Sequence, residues 1–160
     1  MLRPGGLWCL PGMALLLSAC VGSNSEGAKL YRALHEIADY GDRVEELESY
    51  PVEQQYEVFL HGMRRVLPPE STLAIPIAKR GKQAMDYVLD KLAASGEDLD
   101  YVDSMRVFTA MVWGGHYLVC ADVEAMSQIE GNGTKIADEG WREFYQRDLQ
   151  WLRELCADWK

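Results

Sequence analysis

The sequence predicts an all-α domain: an irregular bundle, or a short stack, of antiparallel helices around a buried central helix. Three observations support this. Apolar residues recur at three- and four-residue spacing along most of residues 26–160, the period of one helix face. Gly, Pro and Ser punctuate those stretches at intervals of one helix length. No run alternates apolar and polar residues as a half-buried strand does.

The elements follow in order. A first helix over about 26–39 sets Leu30, Leu34, Ile37 and Ala38 on one side, and Gly41-Asp42 interrupts it before a short acidic segment, Val44 to Glu48. The next helix opens at Pro51, since proline is favoured in a first turn. Val52, Tyr56, Phe59, Leu60, Met63 and Leu67 then form a single stripe, which Pro68-Pro69 ends. Ser71 caps a helix that runs to Arg80 and stops at Gly81. A helix over about 82–94 turns Ala84, Val88, Leu89 and Leu92 inward and stops at Ser95-Gly96.

Residues 107–121, VFTAMVWGGHYLVCA, are apolar almost all round. A helix without a polar face is a buried one, and this stretch falls short of the ~20 residues a membrane span needs. It is the predicted central helix, with Gly114-Gly115 as a bend or a point of close packing. Gly131-Asn132-Gly133-Thr134 makes a turn, and a last helix over about 135–158 faces Trp141, Tyr145, Leu149, Leu152, Leu155, Cys156 and Trp159 inward. Phe144 and Trp151 flank that stripe, so Trp151 is the candidate interaction residue, partly exposed.

The stretch IAKRGKQAMDYVLDKL, residues 77–92, resembles the junction inside HEAT-type repeats, in which a glycine turns one helix back onto the next. With the following helix the likeness covers about 73–113. It implies a HEAT-like stack. No two further copies are present, and a solenoid needs about three, so an irregular bundle serves equally well.

The chain opens MLRPGGLWCLPGMALLLSAC, with Arg3 as its only charge before Glu26. A positive start, a short apolar middle and small residues at its end have the pattern of a secretory signal. Leu17-Ser18-Ala19-Cys20 resembles the bacterial lipobox. That resemblance implies cleavage between Ala19 and Cys20, lipidation of the Cys20 thiol, and acylation of its freed amino group. Several acyl chains anchor stably where one would not. The expected organisation is a signal peptide at 1–19, a lipidated tether at 20–25 and a helical domain at 26–160. Val21, rather than Asp, follows the cysteine, which favours the periplasmic face of the outer membrane over the inner membrane.

Charge narrows the partners. With 16 basic and 25 acidic residues the net charge is −9; removing Arg3 with the leader makes it −10. Nucleic acid and anionic lipid both want a basic surface, so the expected partners are the membrane, through the lipid on Cys20, and another envelope protein.

Candidate chemistry is sparse. Without Cys9 in the leader and the lipidated Cys20, Cys120 and Cys156 remain as a candidate disulfide in an oxidising compartment. Two buried thiols are the alternative. A straight hairpin turning near Gly131 would separate them by roughly 20 Å at 1.5 Å per residue, unless Gly114-Gly115 or Gly140 breaks it. His116 and Cys120, four apart, would share a helix face as half of a zinc site, against the alternative of a hydrogen-bonded core histidine. His35 and His61 read as surface residues. Asp98, Asp100 and Asp103 miss the spacing of a calcium loop. Gly131 to Lys135 is not a phosphate loop, and no G-x-S-x-G occurs. No cofactor motif and no catalytic set are legible. The expected function is therefore non-catalytic protein binding, as an envelope scaffold or an inhibitor or immunity protein. The alternative is a metal- or small-ligand-dependent protein centred on His116 and Cys120.

Overall fold

The computed structural model describes residues 25–159 and is an all-α bundle, with eight α-helices and two 3-10 turns among those residues. The leader, the cleavage site Ala19/Cys20 and most of the tether lie outside the described residues. None of the described helices is long and apolar enough to cross a membrane.

The first three helices assemble a small core of their own. α1 (Glu26–Glu36) starts where the Ser25 hydroxyl accepts from the Ala28 N–H, at 3.2 Å. Its buried face, Gly27, Ala28, Tyr31 and Leu34, lies on α3 (Val52–Arg65). The two backbones come so close that a Cβ at position 27 would stand 2.4 Å from the Glu57 carbonyl oxygen. Between them in sequence, α2 (Tyr40–Ser49) is a separate helix capped by Asp39, whose carboxylate accepts from Gly41 N–H at 2.8 Å. Gly41-Asp42 thus lies in a first turn, and the predicted first helix ends at Glu36 instead of continuing to 39. Only Leu47 of α2 is buried, joining Tyr31, Leu34 and Val58 in the small core.

The exposed carbonyls at the end of α2 find donors in other elements. Buried Gln55 of α3 donates to Leu47 O and Tyr50 O, both at 3.0 Å, and Arg80 donates to Glu48 O at 2.6 Å. These bonds satisfy groups that a helix end leaves unpaired.

After α3 a 3-10 turn (Ser71–Leu73) leads into the short α4 (Ala74–Ala78). Gly81, with φ +56, then turns the chain into α5 (Lys82–Ala93); glycine adopts that backbone without a Cβ penalty. α6 (Asp98–Trp113) is the central element, with ten of its sixteen residues buried. Met105, Val107, Phe108 and Met111 are fully buried in the main core.

The predicted central helix over 107–121 is corrected at both ends. α6 begins at Asp98 and stops at Trp113, because Gly114 caps it and Gly115 adopts φ +69. The N–H groups of His116 and Tyr117 both return to Met111 O, at 2.9 and 3.2 Å, a reversal that satisfies the final carbonyls.

Beyond that reversal, a 3-10 turn (Val119–Ala121) precedes α7 (Val123–Asn132), a helix that no apolar stripe in the sequence announces. Asp122 caps it, accepting from Ala125 N–H at 3.1 Å. α8 (Glu139–Ala157) starts four residues later than the predicted 135 because Asp138 caps it, accepting from Trp141 N–H at 2.9 Å. The carboxylate of Asp98 reaches across from the start of α6 to accept from Ala137 and Asp138 N–H, at 2.9 and 2.8 Å.

Candidate functional site

α6 and α8 lie side by side, and their outer edge faces the segment joining α3 to α4. The edge is open. On α6, Val102, Arg106, the pair Thr109-Ala110 and Trp113 succeed one another about one helical turn at a time along it. On α8, Trp141, Phe144 and Trp151 are three and seven residues apart, one and two helical turns along the same edge. Met63, Pro69, Ser71 and Ile75 form the opposite wall.

The result is a groove with two adjoining hollows. Trp113 and Trp151 line one of about 200 Å³; Trp141 and Phe144 line the other, of about 620 Å³. Ser71 and Arg106 border both, so the hollows are neighbours. Trp113 is 72% exposed, and Trp141 and Trp151 are each 42% exposed. Large aromatic rings left this open along one surface are the composition of a recognition face, since they bring much contact area with few rotamers to freeze.

Charged side chains hold the walls in place. Arg106 lies 5.7 Å from the Phe144 ring centre and 3.6 Å from the Asp148 carboxylate. Arg147 covers the same ring at 4.5 Å. Arg64 of α3 donates to Asp103 at 2.7 Å and to Asp100 at 2.6 Å, clamping α3 to α6. Asp100 also accepts from the Ser95 hydroxyl. Burial raises the Asp103 carboxyl above its ordinary value, and Arg64 opposes that rise. Burial likewise raises Asp148, against the pull of Arg106. The groove can bury apolar groups between fixed cationic and anionic side chains.

Of the residues the sequence singled out, Trp151 stands in the groove. Trp141, predicted to face inward, forms part of its surface, because α8 starts at Glu139 and its first turn projects past the core. Trp113 was hidden inside the predicted central helix; the stop at Gly114 brings it to the surface. Only the phase of α6, not the composition of the segment, would have revealed it.

His116 and Cys120 do not form a ligand pair. His116 is exposed on the reversal after α6, so it is neither on a shared helix face nor in the core. Cys120, in the 3-10 turn, is bonded to Cys156 near the end of α8, with Cα atoms 6.1 Å apart. Its sulfur therefore has no thiolate to offer a metal. The straight hairpin that would part these cysteines does not exist, since the chain breaks at Gly114-Gly115 and again between α7 and α8. Among the described residues no cluster of three or more His, Cys, Asp or Glu has metal-binding proximity.

The other two histidines lie away from the groove, around Tyr31. Its ring centre is 4.3 Å from that of His35 and 5.0 Å from that of His61. His61, predicted to be solvated, is half-buried, and burial with the nearby Arg65 and Arg32 lowers its pKa. Asp98, Asp100 and Asp103 divide between the start of α8 and Arg64.

The chain matches no protein-family model, no curated protein and no solved structure.

Proposed function

We propose that the chain is a lipid-anchored protein facing the periplasm that works by binding another envelope protein, as a scaffold or as an inhibitor or immunity protein. The groove bearing Trp113, Trp141 and Trp151 carries this reading. The anchor rests on Leu17-Ser18-Ala19-Cys20 and the short apolar leader before it. The net charge of −9 favours a partner surface rich in Lys and Arg, and indole faces attract such cations. Arg64 and Arg106 in the groove already have carboxylates as neighbours, and Arg147 beside it covers the Phe144 ring. Apolar contact, rather than a search for anions, is what remains open.

The test is co-purification from detergent-solubilised envelopes, using the full chain and its W113S/W151S double variant. Both tryptophans are exposed, so the variant should melt within ~0.5 kcal/mol of the parent. Losing two interface aromatics should weaken partner recovery about tenfold or more. Equal recovery by both proteins, or no partner with either, would refute the reading.

A further inference from the structure

A second cleft, of about 120 Å³, lies between α1, α2 and the 70–76 segment, and Thr72 is the one lining residue it shares with the groove. Leu34, Val44, Leu47, Leu73 and Pro76 give it apolar walls. Arg43, His35 and Glu70 also border it. Apolar cavities of ~150 Å³ hold a benzene-sized molecule, so the space suits a branched aliphatic or aromatic side chain.

The charged groups are arranged in an unusual order. Arg43 donates from Nε to Ile37 O and from Nη1 to His35 Nδ1, both at 3.3 Å. Among the described residues no carboxylate lies within 4 Å of it. A guanidinium has no acceptor, so His35 Nδ1 must accept. The imidazole then presents Nε2 to Glu70 Oε2 at 3.4 Å. A guanidinium and a carboxylate thus border one apolar cleft, separated by the His35 ring. Each contact in this chain exceeds the 2.7–2.9 Å of a strong charge-assisted bond; Glu70 also pairs with the Tyr31 hydroxyl, and each ion keeps capacity for a charged partner. Tyr31 backs the imidazole, and burial with Glu70 nearby pushes its hydroxyl up to about 12, so it remains a proton donor.

We infer that this cleft binds a free apolar α-amino acid, its carboxylate on Arg43, its ammonium on Glu70 and its side chain against Leu34, Leu47 and Leu73. Two opposite charges a short distance apart, next to an apolar body, are the chemistry of that zwitterion. Neither a simple fatty acid nor a simple amine satisfies both ions. The inference is independent of the groove and of any protein partner.

Amide NMR titration of the full chain in detergent, with L-leucine as the probe, tests it. The expected result is a saturable shift of the Tyr31, Leu34 and Leu73 amides with a dissociation constant of about 1 mM or tighter. 4-Methylpentanoate lacks the ammonium, isopentylamine the carboxylate and glycine the side chain; each should bind about tenfold more weakly, a loss of ~1.4 kcal/mol. R43Q and E70Q should each weaken leucine to a similar degree while keeping the melting temperature and the dispersed spectrum. Three results would overturn the inference: no saturable shift, shifts centred elsewhere, or 4-methylpentanoate binding as well as leucine. Leucine affinity unchanged in both folded variants would do the same.

Discussion

Asp148 holds a carboxylate at 7% exposure between α8 and α6, and its Oδ2 has no hydrogen-bond partner although Arg106 is 3.6 Å away. An ion contact that long offsets only part of the cost of removing a carboxylate from water. The folded state therefore holds the proton more tightly than the unfolded chain does. Its contribution to stability is full below the unfolded value near ~3.9 and is lost as pH rises through the higher folded value. Asp98 and Asp122, both lowered chiefly by backbone N–H donors, act in the opposite sense and lose their contribution as pH falls through the folded values. D148N removes the first effect alone. Urea unfolding at pH 4 and pH 7 should show the variant gaining on the parent by on the order of 1 kcal/mol at the higher pH. A difference that is flat or falls with pH would contradict this account. Nothing in the sequence marks Asp148, since its neighbour Arg106 is 42 positions away and meets it only through the α6–α8 packing.

At the scale of elements, the apolar stripes of α3 and α5 were legible because each repeats over three or more turns and ends at Pro or Gly. α6 was misread in extent for a physical reason. Residues 107–121 are apolar on both sides of Gly114, so composition does not distinguish a buried helix from a buried reversal. The left-handed Gly115 makes the difference. α7 escaped because only Ala125, Ile129 and Asn132 of its ten residues are buried, too thin a stripe to stand out. The Cys120–Cys156 bond spans a sequence separation of 36 and fastens the end of α8 beside the turn that follows α6. A loop of that size adds about 2–4 kcal/mol by restricting the unfolded chain. The C120S/C156S double variant should lose that amount in urea unfolding while remaining helical by circular dichroism. A loss below about 0.5 kcal/mol would show that packing alone holds α8.

For the molecule as a whole, the all-α class was legible because period and punctuation agree along the chain. The site was legible only in part. Trp151 was visible as a residue flanking its stripe, but the groove needs α3, α6 and α8 at once, and no local pattern encodes that meeting. The membrane connection stands on sequence alone. C20S should leave the chain in the soluble fraction after cell breakage, whereas the parent should sediment with membranes and leave them only in detergent. A parent that is soluble without detergent would remove the proposed anchor. The excess of acids predicts that partner affinity falls with added salt, most steeply below ~0.15 M, where screening is weakest.

The covalent link at Cys156 also decides how the body carries a load. A helix held by packing alone is ordinarily easy to peel away, one turn after another from its end. Here Cys156 stands one residue before the last residue of α8, so a tug on Trp151 cannot unzip the helix from that end. The force passes through the sulfurs into the turn behind α6 and is shared by the central core. A protein held at one end and gripped at the other would resist such traction by shearing a whole interface, which takes far more force than peeling.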